Sequence, residues 1–390
     1  MTSPPTDAPA NRGRLLRWFI SSATFGVPQA GGPIAYALVA LSLTGDTSGG
    51  AAMVLAMTLA QVAGAVPIAR LGRTLPLSTY LKLLVAVRTL ALAAVALLAA
   101  HLPANGASFA WLIVLVAVAG SVNGAAFGYL RAVLNHLAPA SRFPRALGIA
   151  ATLNEMTFVL APVAASGLGS VSPAFAVLAL AVLGAVPVLL VPGTGSAHID
   201  GAGVHGPTGA LLSRPILLWL LCALASGATV AAIEIGAVAL ALNFGHEPTL
   251  AILFTVPLCL TAVAGGIWVS VRNRMATRTA VLAQLAIMTL GLALAALNLS
   301  VATTVAGTIL IGSVMAPLST YYSLILDQLA PPQRRPEVFA LMRTANASGV
   351  IFASAVLTAV SLSWALVVVT GLMVTVTLVV GISSVRRLPN

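Results

Sequence analysis

The chain has 390 residues, of which 59% are hydrophobic and 7% charged, with a formal net charge of +11. Its mean hydropathy is +1.04. An average soluble domain carries about 25% charged residues, so an ordinary soluble enzyme, a disordered chain and a disulfide-stapled secreted scaffold are all excluded. What remains is an all-α polytopic membrane protein, because the apolar runs are too long and unbroken for a transmembrane β-barrel.

A helix needs about 20 apolar residues to cross the hydrocarbon. Twelve such runs follow in chain order: 18–43, 50–69, 76–100, 109–137, 146–168, 173–192, 215–242, 250–271, 279–298, 303–327, 337–360 and 364–385. The first is too long for the core of a cleaved signal peptide and reads as span 1. Turn chemistry separates the runs, as in TGDTSGG at 44–50, HLPANG at 101–106, APASRFPR at 138–145 and QLAPPQRRPE at 328–337. Basic residues sit in alternate loops: Arg12, Arg14 and Arg17; Arg70 and Arg73; Arg142 and Arg145; Arg214; Arg272, Arg274 and Arg278; Arg334 and Arg335; Arg386 and Arg387. The positive-inside rule then places both termini in the cytoplasm of a cell (plasma or inner) membrane. The same distribution argues against nucleic acid as partner, since no basic patch lies on a polar domain. Cys222 and Cys259 lie in apolar runs and read as packing residues.

The two halves repeat. Residues 134–154 and 326–346 align without a gap at an offset of 192, pairing Leu134 with Leu326, Pro139 with Pro331, Arg142 with Arg334, Pro144 with Pro336 and Asn154 with Asn346. Earlier parts match at an offset near 201, as in Trp18 with Trp219, Gly64 with Gly266 and Arg70 with Arg272. Six spans per copy give two halves of the same topology, related by a pseudo-twofold axis along the membrane normal. The expected organisation is a tail (1–17), a six-helix bundle (18–192), a cytoplasmic linker (193–214), a second bundle (215–385) and a short tail (386–390). The Gly- and Pro-rich linker holds His198, Asp200 and His205, read as solvated residues and not as a metal site.

The loop after span 2 reads A-V-P-I-A-R-L-G-R-T, residues 65–74. It resembles the G-x-x-x-D-R-x-G-R-R/K loop of the major facilitator superfamily, a family of secondary transporters with two six-helix halves. Arg70, Gly72 and Arg73 match, Ala69 replaces the acidic residue, and the leading glycine is displaced to Gly64. The resemblance covers nearly the whole chain. It implies that Arg70, Gly72 and Arg73 take part in conformational gating, and the missing acid leaves open how the outward-facing state is held. Residues 160–169, L-A-P-V-A-A-S-G-L-G, loosely resemble the span-5 motif of proton-driven antiporters of the family through Pro162 and Gly167, with alanines in place of glycines. Gly120, Gly124 and Gly128 share one face of span 4 and read as close helix packing.

Charges inside a membrane cost on the order of 2.5–3.5 kcal/mol each on the insertion scale. Arg131 and Glu155 lie at similar depth on consecutive spans and are expected to pair. Asp327 and Arg343 repeat that logic with the signs exchanged, near the cytoplasmic face, as a gating staple. Glu234 stands alone in span 7. The resemblance places spans 1, 4, 7 and 10 around a central cavity, and burial disfavours the charged form of a carboxylate in general. Glu234, Glu155 and Arg131 are therefore the expected proton-coupling set. Lys82 is near enough to the interface to snorkel, and Arg88 either reaches a carboxylate or binds an anionic group. Gln29, Tyr36, Arg88, Asn123, Asn154, Tyr321, Tyr322 and Asn346 are the expected substrate surface. Pro28, Gly31, Gly32 and Pro33 could unwind span 1 beside it.

No phosphate loop, His/Cys metal cluster or Ser/His/Asp grouping occurs, so no cofactor and no metal are expected and the chain is not expected to be an enzyme. The Asn298-Leu-Ser300 sequon reads as incidental. The expectation is a proton-coupled antiporter, monomeric, exporting a small amphipathic organic compound by alternating access. Proton-coupled uptake of a small, possibly anionic metabolite is the first alternative. A membrane-embedded enzyme or assembly partner is the second.

Overall fold

The computed structural model describes residues 9–45, 48–101, 106–194 and 213–385. The linker histidines and Asp200, the first eight residues, the turn tips at 46–47 and 102–105, and the last five residues with Arg386 and Arg387 lie outside them. Among the described residues all regular structure is helical. Eleven continuous segments are long and apolar enough to cross a membrane. The twelfth, span 1, is divided between α1 (Pro9–Phe25) and α2 (Val27–Thr44). Span 4 is one of the eleven, interrupted for the single residue Val122 between α5 (Gly106–Ser121) and α6 (Asn123–Leu137). The others are single helices: α3 (Ser48–Leu71), α4 (Leu77–His101), α7 (Phe143–Val171), α8 (Pro173–Leu190), α9 (Arg214–Asn243), α10 (Ile252–Arg272), α11 (Arg278–Leu297), α12 (Val301–Leu329), α13 (Arg335–Ala359) and α14 (Leu362–Val385). Eleven of the expected twelve spans fall on helices long and apolar enough to cross a membrane, and the expected span 1 falls on α1 and α2.

Local chemistry sets the helix ends. Asn298 closes α11 in the left-handed region, with φ 52°, and two residues on Ser300 opens α12 through a reciprocal capping box with Thr303. The apparent sequon is thus a stop and a start signal. The break in span 1 falls at Gly26, earlier than the sequence suggests, while Gly31 to Pro33 stay helical inside α2. Pro28 has no N–H to give to the preceding turn, which favours a new helix start just before it. Gly31 has a packing role instead, since a Cβ there would press on Leu180 and the Ala161 carbonyl.

The chain forms two compact units. The first comprises Met1–Ala140, Met156–Val204 and Pro332–Ala340. The opening residues of α13 therefore belong to it, and the opening residues of α7 do not. Its α3 packs on α5, and its α4 on α8. Ala35, Tyr36, Val39, Met53, Met57 and Leu92 lie at the centre of its apolar core. The glycines of span 4 carry the closest approaches. A Cβ at Gly120 would strike the Met57 carbonyl, one at Gly124 would touch Ala65, and one at Gly128 would strike the Pro336 carbonyl at the start of α13.

The second unit comprises Ser141–Glu155, His205–Pro331 and Leu341–Asn390. There α10 and α11 both pack on α12, and α14 packs on α9 and α11. The opening residues of α7 belong to this unit, where Gly148 packs on the backbone of Gly266 and Ser270 in α10.

Candidate functional site

In the first unit, Arg88 on α4 is 3% exposed. Its Nη1 donates to the Phe25 carbonyl at 3.0 Å and to Asn123 Oδ1 at 3.0 Å, and its Nη2 donates to the Gly184 carbonyl at 2.9 Å. The guanidinium also lies 4.3 Å from the centre of the Phe25 ring. Phe25 is the last residue of α1 and Asn123 the first of α6, so one cation joins the broken ends of spans 1 and 4. A guanidinium has only donors. It therefore turns the Asn123 oxygen towards itself and leaves the amide nitrogen to donate to Gln29 Oε1 and Gln61 Oε1, each at 2.8 Å. A cavity of about 10 Å³, large enough for about one water, lies among Gln29, Arg88, Asn123, Met57 and Leu92. Gln61, 1% exposed, was not singled out in the sequence, although it completes this network. Tyr36 is buried in the same unit with its hydroxyl against Met57 Sδ.

A second construction in this unit concerns the loop after span 2. Glu337 on α13 is 1% exposed. Its carboxylate accepts from Arg70 Nε at 3.2 Å and from Arg73 Nη2. Gly72, between the arginines, lies under the Tyr80 ring and beside the Tyr129 hydroxyl, so a side chain there would displace both. The Tyr129 hydroxyl donates to the Ala69 carbonyl at 2.9 Å. The acid missing at Ala69 is thus supplied from 268 residues further on (337 − 69). Sequence reading missed Glu337, although a signal existed: it is the one acid in a loop that otherwise offers Arg334 and Arg335.

Arg131 donates from Nη1 to Asn135 at 2.8 Å, and its guanidinium lies 4.9 Å from the centre of the Phe339 ring. Its expected partner Glu155 belongs to the second unit. There the charged group nearest in effect to Glu155 is Glu234, and the Asn154 side chain lies beside its carboxylate. Cys259 on α10 interacts electrostatically with both glutamates. Glu155 is half-buried and Glu234 exposed. Glu155 on α7, Glu234 on α9 and Cys259 on α10 thus lie within electrostatic range of one another, without forming a metal-binding cluster.

The remaining expected site residues of this unit also converge. The hydroxyls of Ser226 and Tyr322 lie 3.0 Å apart. Trp219 meets Tyr321 edge-on at 5.1 Å between ring centres, and Tyr322 lies at 6.1 Å. Asn346 packs against Gly227, where a Cβ would crowd its amide. Ser226 is eight residues from Glu234 on α9, about 12 Å along the axis. Asp327 near the end of α12 and Arg343 on α13 belong to this unit too. Among the described residues no group of three or more His, Cys, Asp or Glu could hold a metal ion.

A family model described as Major Facilitator Superfamily matches residues 18–354. The chain belongs to the major facilitator superfamily. It is accordingly a multi-pass membrane protein of a family that performs secondary transport of small molecules, not catalysis. A search of curated proteins finds no match. Among solved structures, a bacterial homologue of the iron transporter ferroportin in its outward-facing state has a TM-score of 0.80 at 16% identity, covering 97% of this chain and 100% of that one. The human organic anion transporter TETRAN has a TM-score of 0.71 at 14% identity, covering 97% and 100%. The proton:xylose symporter XylE has a TM-score of 0.75 at 10% identity, covering 94% of each chain. At these identities the likeness is one of fold.

Proposed function

We propose that this chain is a proton-coupled antiporter that exports a small amphipathic organic compound by alternating access, working as a monomer with both termini in the cytoplasm. The observation that carries the reading is that Glu155 and Glu234 lie within electrostatic range of each other in the second unit. An exposed carboxylate within a membrane span is costly against lipid, so such a pair belongs on a water-accessible path. Two neighbouring carboxylates repel when both are charged, and that repulsion favours taking up one proton between them. Proton exchange at the pair is what couples the proton gradient to opening on one side or the other. Two turns along α9, the partly exposed Ser226 and Asn346 are backed by the buried rings of Trp219 and Tyr322, a weakly polar surface on an aromatic support that suits an amphipathic solute.

In this reading Arg70, Gly72 and Arg73 gate through Glu337, and the Asp327 and Arg343 pair staples the second unit near the cytoplasmic face. Uptake of an anionic metabolite through Arg88 and Arg131 has less support. The Arg88 guanidinium is already engaged by two carbonyls, an amide and a ring.

The test is resistance. An efflux-deficient bacterium expressing the wild type is challenged with a broad panel of toxic amphipaths beside Glu155→Gln and Glu234→Gln at matched expression. Protection that either change removes supports the proposal. Protection that survives both changes would reject the coupling assignment. No protection by the wild type against any compound would reject export.

A further inference from the structure

The two units build the same corner twice, with opposite charge. In the first, the end of α3 holds the start of α13 through Arg70 and Arg73 on Glu337. In the second, the end of α10 holds the start of α7. Asn273 closes α10 in the left-handed region, with φ 46°. Its Oδ1 accepts the Arg145 backbone N–H at 2.9 Å, and its Nδ2 donates to the Ser141 carbonyl at 2.9 Å. The repeat offset of 192 puts Arg145 at the register of Glu337. The second corner therefore has a cation at the very place where the first has its carboxylate.

The consequence is an uncompensated cluster. Asn273 seats the backbone of Arg145 beside its own neighbours Arg272 and Arg274, and all three arginines are exposed. No carboxylate is shown on any of them among the described residues. The sequence has no Asp or Glu between Asp46 and Glu155, nor between Glu247 and Asp327. The Arg272 guanidinium lies 5.0 Å from the centre of the Trp268 ring. Trp268 is 48% exposed, and Ile267 and Val271 beside it are exposed as well. An exposed indole on an apolar helix face marks the boundary between hydrocarbon and headgroups. The cation stacked on it thus stands at headgroup depth.

We propose that this corner binds the headgroup of an anionic phospholipid, whose phosphate supplies the counter-charge that Glu337 supplies in the first unit. A free phosphate would offer the same charge. The lipid-facing Trp268, Ile267 and Val271 favour a headgroup whose acyl chains lie along α10. Fixed arginines at a leaflet surface also gain from its anionic lipids over neutral ones.

The full-length protein, purified in lipid-depleted detergent, is titrated with phosphatidylglycerol, with phosphatidylcholine and with inorganic phosphate. The readouts are the unfolding temperature and the number of lipids retained in native mass spectra. The wild type is expected to retain phosphatidylglycerol on the order of tenfold better than phosphatidylcholine, with an upward shift in unfolding temperature that inorganic phosphate does not reproduce. Arg145→Glu, which installs the acid of the first unit, is expected to abolish the preference while keeping the fold. Arg272→Gln with Arg274→Gln is expected to do the same. Equal retention of the two lipids by the wild type, or a preference that survives in these variants, would overturn the site. A shift reproduced by inorganic phosphate would overturn the assignment to lipid.

Discussion

The first unit engages a buried cation in its own architecture, whereas the second leaves the carboxylate of Glu234 exposed. Arg88 is the twelfth residue of α4, and the twelfth residue of α11 is Thr289, whose hydroxyl bonds only to the Leu285 carbonyl and to Thr377. Where Arg88 sits, spans 1 and 4 are broken. Their counterparts α9 and α12 run unbroken. Among the described residues the second unit has no buried cation joining broken helices, and it carries instead Glu155 and Glu234, within electrostatic range of each other, and the aromatic cluster. A duplicated fold has kept its sites of close backbone approach and exchanged the side chains placed on them.

The largest effect should come from the hub. Arg88→Leu strands the Asn123 oxygen and removes a donor from two backbone carbonyls, at a cost of about 3 kcal/mol or more. Thr289→Ala at the corresponding place should cost less than about 1 kcal/mol. Unfolding midpoints in one detergent measure both, and equal losses would dissolve the contrast between the units.

Next come the two corners. Glu337→Gln removes a charge-assisted clasp worth about 2 kcal/mol. Backbone amides at the start of α13 should then exchange hydrogen roughly tenfold faster or more. Asn273→Gly keeps the left-handed conformation and removes only the amide bridge, at about 1 kcal/mol, so amides around Arg145 should exchange roughly fivefold faster. In lipid-depleted detergent, added salt should loosen the wild-type α13 start more than the α7 start, because there only the former is held by an ion pair. Identical salt responses would show the chemical difference between the corners to be immaterial.

The smallest effect is expected at Gly167. A Cβ there meets nothing within 4 Å, so Gly167→Ala should leave stability unchanged or raise it by up to about 1 kcal/mol. A strong loss of transport in this variant would assign the motif a role beyond packing.

The spans were legible because length and hydropathy are local properties. The repeat was legible because its loops kept Pro139, Pro331, Arg142 and Arg334 in register. Gly128 could be read as a packing residue, but not its partner Pro336, which lies on the opposite side of the repeat boundary. Glu337 escaped for the same reason: a clasp between α3 and α13 joins residues 264 positions apart, and neither end alone announces the other. Arg88 was legible as costly, while its role depended on which carbonyls the break at Gly26 set free. Arg131 and Glu155 matched in depth, and depth along two spans does not say which way each side chain faces. Glu234 came within electrostatic range of Glu155 through the packing of the second unit, which a single helix pattern does not encode.

The central claim is that the carboxylate pair of the second unit carries the protons. Its most direct test is proton flux into vesicles containing the purified protein, driven by an exported compound identified in the resistance panel. Wild type is compared with the Glu155→Gln, Glu234→Gln double variant at equal insertion. The account predicts substrate-driven proton movement in the wild type and at least a tenfold reduction in the variant, with substrate binding retained. Undiminished proton movement in the double variant would contradict it.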